Sequence, residues 1–285
     1  MTDHGLTFKD FEILALLREA KEPGTGKTQT RRLIEQPHIG ADLTGSHWLF
    51  CSGYKPTKAK QPYMEAVRPW GPTQPNGKPM GWEIVVAPRR VAARPGDRVW
   101  CRETWWIATR YSYGSSPDGG EMPSPPLAYR SGDPVHYGAD GNPANCGNRT
   151  YGPKGQSGWY AAPDPYALWL KKPSIHMPRW ASRLTLYVSE VRVQRLQDIC
   201  EADARAEGAY VGKASGRVAD NYATMAVAGH WFASARGWYA DLWERLNGPG
   251  SWQANPWVAA YTFVPRLGNI DTLPAALPAA LMEDA

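Results

Sequence analysis

The residues best suited to chemistry lie in one short stretch, Gly24-Thr25-Gly26-Lys27-Thr28-Gln29-Thr30-Arg31-Arg32. It combines one lysine, three threonine hydroxyls and two guanidinium groups, and its glycines allow a tight turn that brings these side chains together. This set of groups suits a site for a polar or anionic substrate. Two simpler roles stay open on local sequence alone, namely phosphate binding and a solvated basic surface.

The stretch approaches the phosphate loop of nucleotide-binding proteins without matching it. That motif, Gly-x-x-x-x-Gly-Lys-Thr, requires glycine at position 21, where this chain has Lys21. The loop should also follow a buried strand and open a helix, whereas an amphipathic helical pattern precedes this stretch. We therefore regard a magnesium-dependent nucleoside triphosphatase as the weakest of the candidate functions.

Lys27 and Thr30 are spaced in a way that allows acyl-transfer chemistry. A threonine hydroxyl becomes a nucleophile when a base removes its proton, and a lysine can be that base if burial or neighbouring cations lower its pKa. Arg31 and Arg32 are suitable neighbours. Residues three apart face opposite sides of a strand but lie side by side in a turn. A turn at Lys27 leading into a strand would bring Lys27, Thr30 and Arg32 together.

The elements that must position this stretch follow from periodicity and chain breakers. Apolar residues from Phe8 to Leu17 recur at helical spacing, which predicts a helix over about 9–20 that ends before Pro23-Gly24. Further helices are predicted over 198–207, closed by Gly208, and around 232–246, before Gly248. Strands are predicted over 82–87, after the turn at 95–97, over 183–193 with a bulge near 189–190, and over 256–264.

The composition predicts short strands and long packed loops. The 285 residues include 14 Trp, 14 Tyr, 28 Gly and 26 Pro. Residues 36–82 look irregular, and the glycine- and proline-rich stretch from Ser112 to Pro165 has too many chain breakers for regular elements. We predict insertions at about 36–82 and 108–170, the second over the site, and a short loop over 209–224.

The net charge and the spacing of cysteines and histidines limit which kinds of partner and cofactor the chain is expected to bind. The net charge of +5 is compatible with an anionic partner such as a nucleotide or nucleic acid. The four cysteines and six histidines lack metal-ligand spacing, so we expect no metal, no other cofactor and no disulfide framework. Neither a signal-peptide pattern nor an apolar run of roughly 20 residues occurs, so we expect a cytoplasmic protein without a membrane partner.

With these motifs in view, the chain resembles the ASCH domain family. Four segments carry the resemblance: Lys27-Thr28-x-Thr30-x-Arg32, Pro95-Gly96-Asp97-x-Val99, Leu196-x-x-Ile199-x-Glu201-x-x-Ala204-x-x-Glu207-Gly208, and the strand after Asn255-Pro256-Trp257. Its length and the motifs around 102–105 and 174–180 are similar to a long form found in phages. The resemblance implies an α+β chain with a PUA-like mixed β-barrel, flanking helices and long glycine- and proline-rich loop insertions. One such domain would span 1–270, with 271–285 as a peripheral tail.

The resemblance also implies an activity. The family includes small amidohydrolases that release acetyl groups from N(4)-acetylcytidine by means of a lysine, a threonine three residues later and a distant glutamate. These positions match Lys27, Thr30 and Glu207. The implied substrate is a small nucleoside, an N(4)-acylated cytidine. Those enzymes are much shorter than this chain, so the insertions here could reshape the pocket.

Two catalytic routes are consistent with this implied activity. Lys27, charged or oriented by Glu207, takes the Thr30 proton so that the hydroxyl attacks the acyl carbon, or the Lys27/Glu207 pair activates water directly. Arg32, with Arg31 beside it, would stabilise the oxyanion or bind the cytosine O2. Glu103 is a further candidate for substrate binding, although its place between Arg102 and Thr104 on a strand favours a structural salt bridge. The alternative function is a non-catalytic module that binds RNA or DNA at a modified base.

Overall fold

The structure is a computed structural model. It describes residues 3–36, 47–50, 63–74, 79–110, 113–115, 121–123, 131–143, 159–161, 167–211, 218–219 and 231–277. The elements near the site are β1 (Asp3–Thr7), α1 (Asp10–Lys21), β2 (Gln29–Leu33), β3 (His47–Phe50), β4 (Tyr63–Thr73), β5 (Pro79–Arg90), β6 (Arg98–Arg102) and β7 (Trp105–Arg110).

The remaining elements include several very short strands. In chain order they are β8 (Tyr113–Ser115), β9 (Glu121–Pro123), β10 (Val135–Tyr137), β11 (Trp159–Ala161), β12 (Ala167–Lys172), β13 (Leu184–Arg195), α2 (Glu201–Ala206), β14 (Tyr210–Val211), β15 (Val218–Ala219), β16 (Trp231–Phe232), α3 (Ala235–Asn247) and β17 (Trp257–Leu267). The chain is therefore α+β, with few helices and several sheets.

A five-stranded sheet in the order β1-β6-β13-β17-β2 organises the molecule. β1 pairs with β6 in parallel, and the other neighbours are antiparallel. The barrel expected from the resemblance is not formed, because β1 and β2 remain separate edges within the described residues. Smaller sheets follow the orders β3-β4-β5 and β10-β7-β12-β11.

Two hydrophobic clusters fix the helices around this sheet. Helix α1 contributes Ile13 and Leu16 to the cluster that contains Ala259 of β17. Helix α3 contributes Trp238 to the cluster that contains Val258. Because consecutive residues of a strand face opposite sides, α1 and the α2–α3 pair pack near the same part of β17 from different sides. The space between these helices and the edge strand β2 holds the site.

Several sequence predictions are confirmed. The helix predicted over 9–20 is α1, and the helix predicted before Gly248 is α3. The pairing register of β13 with β17 shifts between Val188 and Glu190, where the change in alternation predicts a bulge. Strand β6 follows the predicted turn at 95–97, and β17 matches the predicted closing strand. The predicted helix over 198–207 is shorter, because a 3₁₀ turn occupies Leu196–Asp198 and α2 begins only at Glu201.

Three predictions of irregular structure are wrong. Within 36–82, strands β3 and β4 pair with each other, and β4 pairs with β5. The register shifts along β4 and β5 show how strands with many prolines and glycines still pair, by interrupting the ladder. Within 112–165, the short strands β8 to β11 form, and β14 and β15 form within 209–224. The rest of these stretches, and the end of the predicted tail at 278–285, lie outside the described residues. In the described part of the chain, no helix is long and apolar enough to cross a bilayer.

Candidate active site

The turn before β2 is held against α1 by a buried carboxylate. Glu19 accepts hydrogen bonds from the backbone N–H groups of Gly24 at 2.9 Å and Gly26 at 2.7 Å. A Cβ atom at Gly26 would lie 2.1 Å from the carbonyl oxygen of Ala15, so only glycine permits this close approach. The segment follows a helix and leads into a strand, which is not the context of a phosphate loop. Its glycines serve to bring Lys27 against α1.

The backbone around Lys27 joins three elements. The N–H of Lys27 donates to the carbonyl of Ala15 at 3.2 Å, and that of Thr28 donates to Ala206 at the end of α2 at 2.8 Å. The carbonyl of Thr28 accepts from Phe263 of β17 at 2.9 Å. The chain turns at Pro23-Gly24 and passes through Lys27 into β2, anchored on α1, α2 and the main sheet.

The Lys27 ammonium is buried among oxygen atoms. Lys27 is 1% exposed. Its Nζ lies 2.6 Å from Oε2 of Glu207 and donates to the Glu207 carbonyl oxygen at 3.0 Å. That carbonyl belongs to the end of α2, where a lysine satisfies a group without a helical partner. A second carboxylate, Glu12, approaches Nζ to 3.6 Å. Lys27 therefore joins α1 to the end of α2.

Arg31 binds Glu207 from the other side. Its Nη1 lies 2.9 Å from Oε1 of Glu207, and its Nη2 lies 2.7 Å from Oδ2 of Asp203. Burial opposes the charge of Arg31, but the neighbouring carboxylates outweigh it and raise the pKa. Burial likewise opposes ionisation of Asp203, but hydrogen bonds from Gln29 and Arg192 and the charge of Arg31 lower its pKa. Glu207 is thus fixed between two buried cations.

Most of these groups line one cavity of about 250 Å³. Its polar side comes from Lys27, Thr30, Arg31 and Glu207, and its other side from residues of α3. The full lining is Thr7, Phe8, Lys9, Glu12, Lys27, Thr30, Arg31, Arg32, Leu33, Glu207, Tyr239, Leu242, Trp243, Leu246 and Asn247. Five of the six predicted site residues therefore come together, although they are separated by up to 180 positions in sequence.

Thr30 and Arg32 lie on the same edge strand. Thr30 is 2% exposed and lines the cavity. Arg32 donates from Nη2 to the carbonyl oxygen of Thr7 at 2.7 Å, and its guanidinium carbon lies 4.9 Å from the centre of the Phe8 ring. Thr30 and Arg32 thus both line the cavity.

Glu103 does not line this cavity. Its carboxylate receives two hydrogen bonds of 2.9 Å from Arg183, which also pairs with Asp140 at 2.7 Å and lies over the Tyr137 ring at 4.0 Å. Burial raises the pKa of Glu103 and outweighs the opposing effect of Arg183. The structure therefore gives Glu103 the salt bridge that the sequence left open as its alternative role.

Two site residues escape sequence reasoning. Glu12 occupies the third position of α1, where its Oε2 accepts from the backbone N–H of Lys9 at 2.9 Å, so it resembles an ordinary capping acid. Tyr239 lies on the apolar stripe of α3 and resembles a core residue. Burial raises its pKa well above 10, with the Glu207 charge adding to the shift, so the phenol stays protonated. Tyr239 lines the cavity, where a protonated phenol can donate to a ligand.

The site can hold a carbonyl compound between a hydroxyl, a buried lysine–glutamate pair and hydrogen-bond donors. Among the described residues, no group of three or more His, Cys, Asp and Glu side chains is placed to hold a metal ion.

Comparison with known proteins yields no match to this chain among protein-family models, curated proteins or solved structures. The inference of function therefore rests on the motifs and on this geometry.

Proposed function

We propose that this protein is an amidohydrolase of the ASCH, PUA-like type that cleaves the N4-acyl amide of N(4)-acylated cytidines. One observation carries the proposal: a fully buried Lys27–Glu207 pair, 2.6 Å apart, lines the same cavity as the Thr30 hydroxyl. These are the three positions that match the catalytic residues of the family. The cavity volume of about 250 Å³ is near the lower end of the range for small-molecule sites, roughly 300–1,000 Å³, which favours a nucleoside-sized ligand.

In the proposed reaction, Thr30 is the nucleophile. Lys27 passes a proton to Glu207 across the 2.6 Å hydrogen bond and then accepts the proton of the Thr30 hydroxyl. Thr30 Oγ1 forms a bond to the acyl carbon, and donors of the cavity stabilise the oxyanion. The C–N4 bond then breaks, N4 takes the proton from Lys27, and cytidine leaves. Water then attacks the ester while Lys27 takes a proton from it and passes that proton to Thr30 Oγ1 as the C–O bond breaks. The carboxylic acid leaves, and Glu207 returns its proton to Lys27.

Arg31 has a supporting role in this scheme. Because it binds the second oxygen of Glu207 at 2.9 Å and is itself bound by Asp203, it fixes the carboxylate facing Lys27. Tyr239, Arg32 and Trp243 contribute donors to the cavity lining, and the Nε atoms of Arg31 and Arg32 and Nε1 of Trp243 are buried without a partner in the described chain. Among these residues, Tyr239 offers a donor to an acceptor atom of an acylated cytosine, whereas the buried Nε and Nε1 atoms are closed to solvent.

The test is to incubate the purified chain with N(4)-acetylcytidine and to follow cytidine and acetate by chromatography. We expect turnover by the wild type and a loss of at least roughly 100-fold in kcat/KM for Lys27→Arg and Thr30→Val. Thr28→Val is the matched control, because Thr28 has the same side chain, lies two residues from Thr30 and does not line the cavity. Absence of turnover with any N(4)-acylated cytidine would reject the proposal.

The same variants separate catalysis from nucleic-acid binding. A module that binds RNA or DNA through charge should keep its affinity in Lys27→Arg, whereas arginine cannot give up a proton in catalysis. Rapid quenching followed by mass spectrometry distinguishes the two catalytic routes. An acyl adduct on the peptide containing Thr30 supports the nucleophile, and a burst-free time course without adduct supports direct attack by water.

A further inference from the structure

The charges that line the cavity are not evenly balanced. In its interior, Lys27 is paired with Glu207 and Glu12, and Arg31 is paired with Glu207 and Asp203. Two further cations, Lys9 and Arg32, line the same cavity. Neither forms an ion pair with a carboxylate among the residues that the structure describes. The interior is therefore neutralised by its own carboxylates, whereas these two cations are not.

Lys9 and Arg32 belong to neighbouring parts of the cavity wall. Arg32 contacts the two residues before Lys9, by its hydrogen bond to the Thr7 carbonyl and by its position over the Phe8 ring. The Lys9 side chain is exposed, and Arg32 is partly buried. Nε of Arg32 is buried without a hydrogen-bond partner in the described chain. Folding thus leaves two cations of the cavity wall without a carboxylate partner among the described residues.

We infer that Lys9 and Arg32 form an anion subsite, so that the preferred substrate of this cavity bears a negatively charged group. The chemistry required is a phosphate or carboxylate oxygen that accepts from both cations. On the proposed cytidine substrate, the anion has two sources. It is either the 5′-phosphate of a nucleotide or a carboxylate at the end of the N4-acyl group. The inference rests on the proposed function only for the cytosine part of the ligand.

The test compares three substrates that differ in charge: N(4)-acetylcytidine, N(4)-acetylcytidine 5′-monophosphate and N(4)-succinylcytidine. We expect kcat/KM to be at least roughly tenfold higher for one of the two anionic compounds, the effect of a single charge-assisted hydrogen bond at a partly exposed site. The compound that gains identifies the source of the anion. Added salt should reduce this preference, because the Lys9 ammonium is open to screening. Equal kcat/KM for all three compounds would overturn the inference.

Variants assign the preference to these two residues. Lys9→Gln and Arg32→Gln should each reduce the ratio of kcat/KM between the anionic and neutral compounds by roughly tenfold. Lys21→Gln is the matched control, because it removes an exposed lysine from the other end of the same helix and should leave the ratio unchanged. An unchanged ratio in Lys9→Gln, an exposed substitution that should fold normally, would also contradict the subsite.

Binding affinities measured by calorimetry test the anion subsite independently of the proposed hydrolase activity. If the wild type hydrolyses none of the three compounds, the hydrolase proposal fails, and binding then decides the subsite. In that case 5′-CMP or N(4)-succinylcytidine should bind at least roughly tenfold more tightly than cytidine, and Lys9→Gln should remove the difference. Equal affinities would reject the subsite as well. Turnover of N(4)-acetylcytidine without any preference for charge would reject the subsite and leave the hydrolase standing.

Discussion

Glu207→Gln should destabilise the protein more than removal of either cation partner. Its carboxylate oxygens lie 2.6 Å from Lys27 Nζ and 2.9 Å from Arg31 Nη1, and all three residues are at most 4% exposed. The amide keeps the size of the side chain but removes the negative charge between two buried cations. Glu207→Gln weakens two buried ion pairs at once and, among the described carboxylates, leaves Lys27 only the 3.6 Å contact with Glu12 and Arg31 only its pair with Asp203, so we expect a cost of about 3–5 kcal/mol.

Lys27→Met provides the informative comparison. It leaves Glu207 bound to Arg31, so the remaining carboxylate still has a partner. We therefore expect a smaller cost of about 2 kcal/mol, mainly from lost hydrogen bonds to the lysine. Since about 2 °C of Tm corresponds to 1 kcal/mol in a chain of this size, Glu207→Gln should lower Tm by about 6–10 °C and Lys27→Met by about 4 °C.

Urea unfolding followed by circular dichroism measures both costs, with thermal unfolding as a second probe. Glu190→Gln is the control, because its carboxylate is 54% exposed and its pair with Arg192 should contribute less than about 1 kcal/mol. The double variant of Lys27 and Glu207 should cost less than the sum of the single variants. A Glu207→Gln protein as stable as the wild type, or a larger cost for Lys27→Met, would refute this account of the buried charges.

Three further predictions concern the supports of the site. Gly26→Ala should destabilise the protein by about 3 kcal/mol or more, because the new Cβ would meet the Ala15 carbonyl. Gly24→Ala meets no atom within 4 Å and should cost only about 1–2 kcal/mol, for its positive φ. Chemical unfolding of both variants measures the difference. The pKa of Asp203 is lowered from 3.8, so its contribution to stability is present above about pH 4 and is lost as the pH falls through the folded pKa. The Tm of Asp203→Asn should therefore depend less on pH than the wild-type Tm below about pH 4. Equal pH dependence of the two Tm values would contradict this. Tyr239→Phe should lower kcat/KM roughly 10–100-fold without changing Tm by more than a few degrees, and full activity would exclude its hydroxyl from substrate binding.

Local signals in the sequence predict the parts of the fold that depend on near neighbours. The apolar spacing of α1 and the change in alternation at Ser189 are local properties, and both match the structure. The strands within 36–82 were missed because proline and glycine interrupt their patterns, while pairing across the β3-β4-β5 sheet stabilises them. Long-range pairing of this kind leaves little trace in the sequence of a single strand.

In the candidate site too, local sequence predicts some parts, whereas other parts depend on contacts between distant residues. The Lys27–Thr30–Arg32 spacing indicates a turn into a strand, which the structure contains, but only the family resemblance connects it with Glu207. Glu12 escapes notice because one of its oxygens serves an ordinary helix cap while the other approaches Lys27. Whether such a residue belongs to a site depends on how helices pack in three dimensions, and the spacing of residues along one helix does not contain that information.

In the proposed reaction, the buried Lys27 and the Thr30 hydroxyl of the same cavity together cleave an amide. The most direct measurement is product release from N(4)-acetylcytidine by the wild type, Thr30→Val and Thr28→Val, assayed in parallel at matched folded concentrations. We predict that the wild type and Thr28→Val release products at equal rates, with one acetate for each cytidine. Thr30→Val should lose at least roughly 100-fold in rate. Equal rates for the two valine variants would contradict the claim, as would the absence of cytidine release by the wild type.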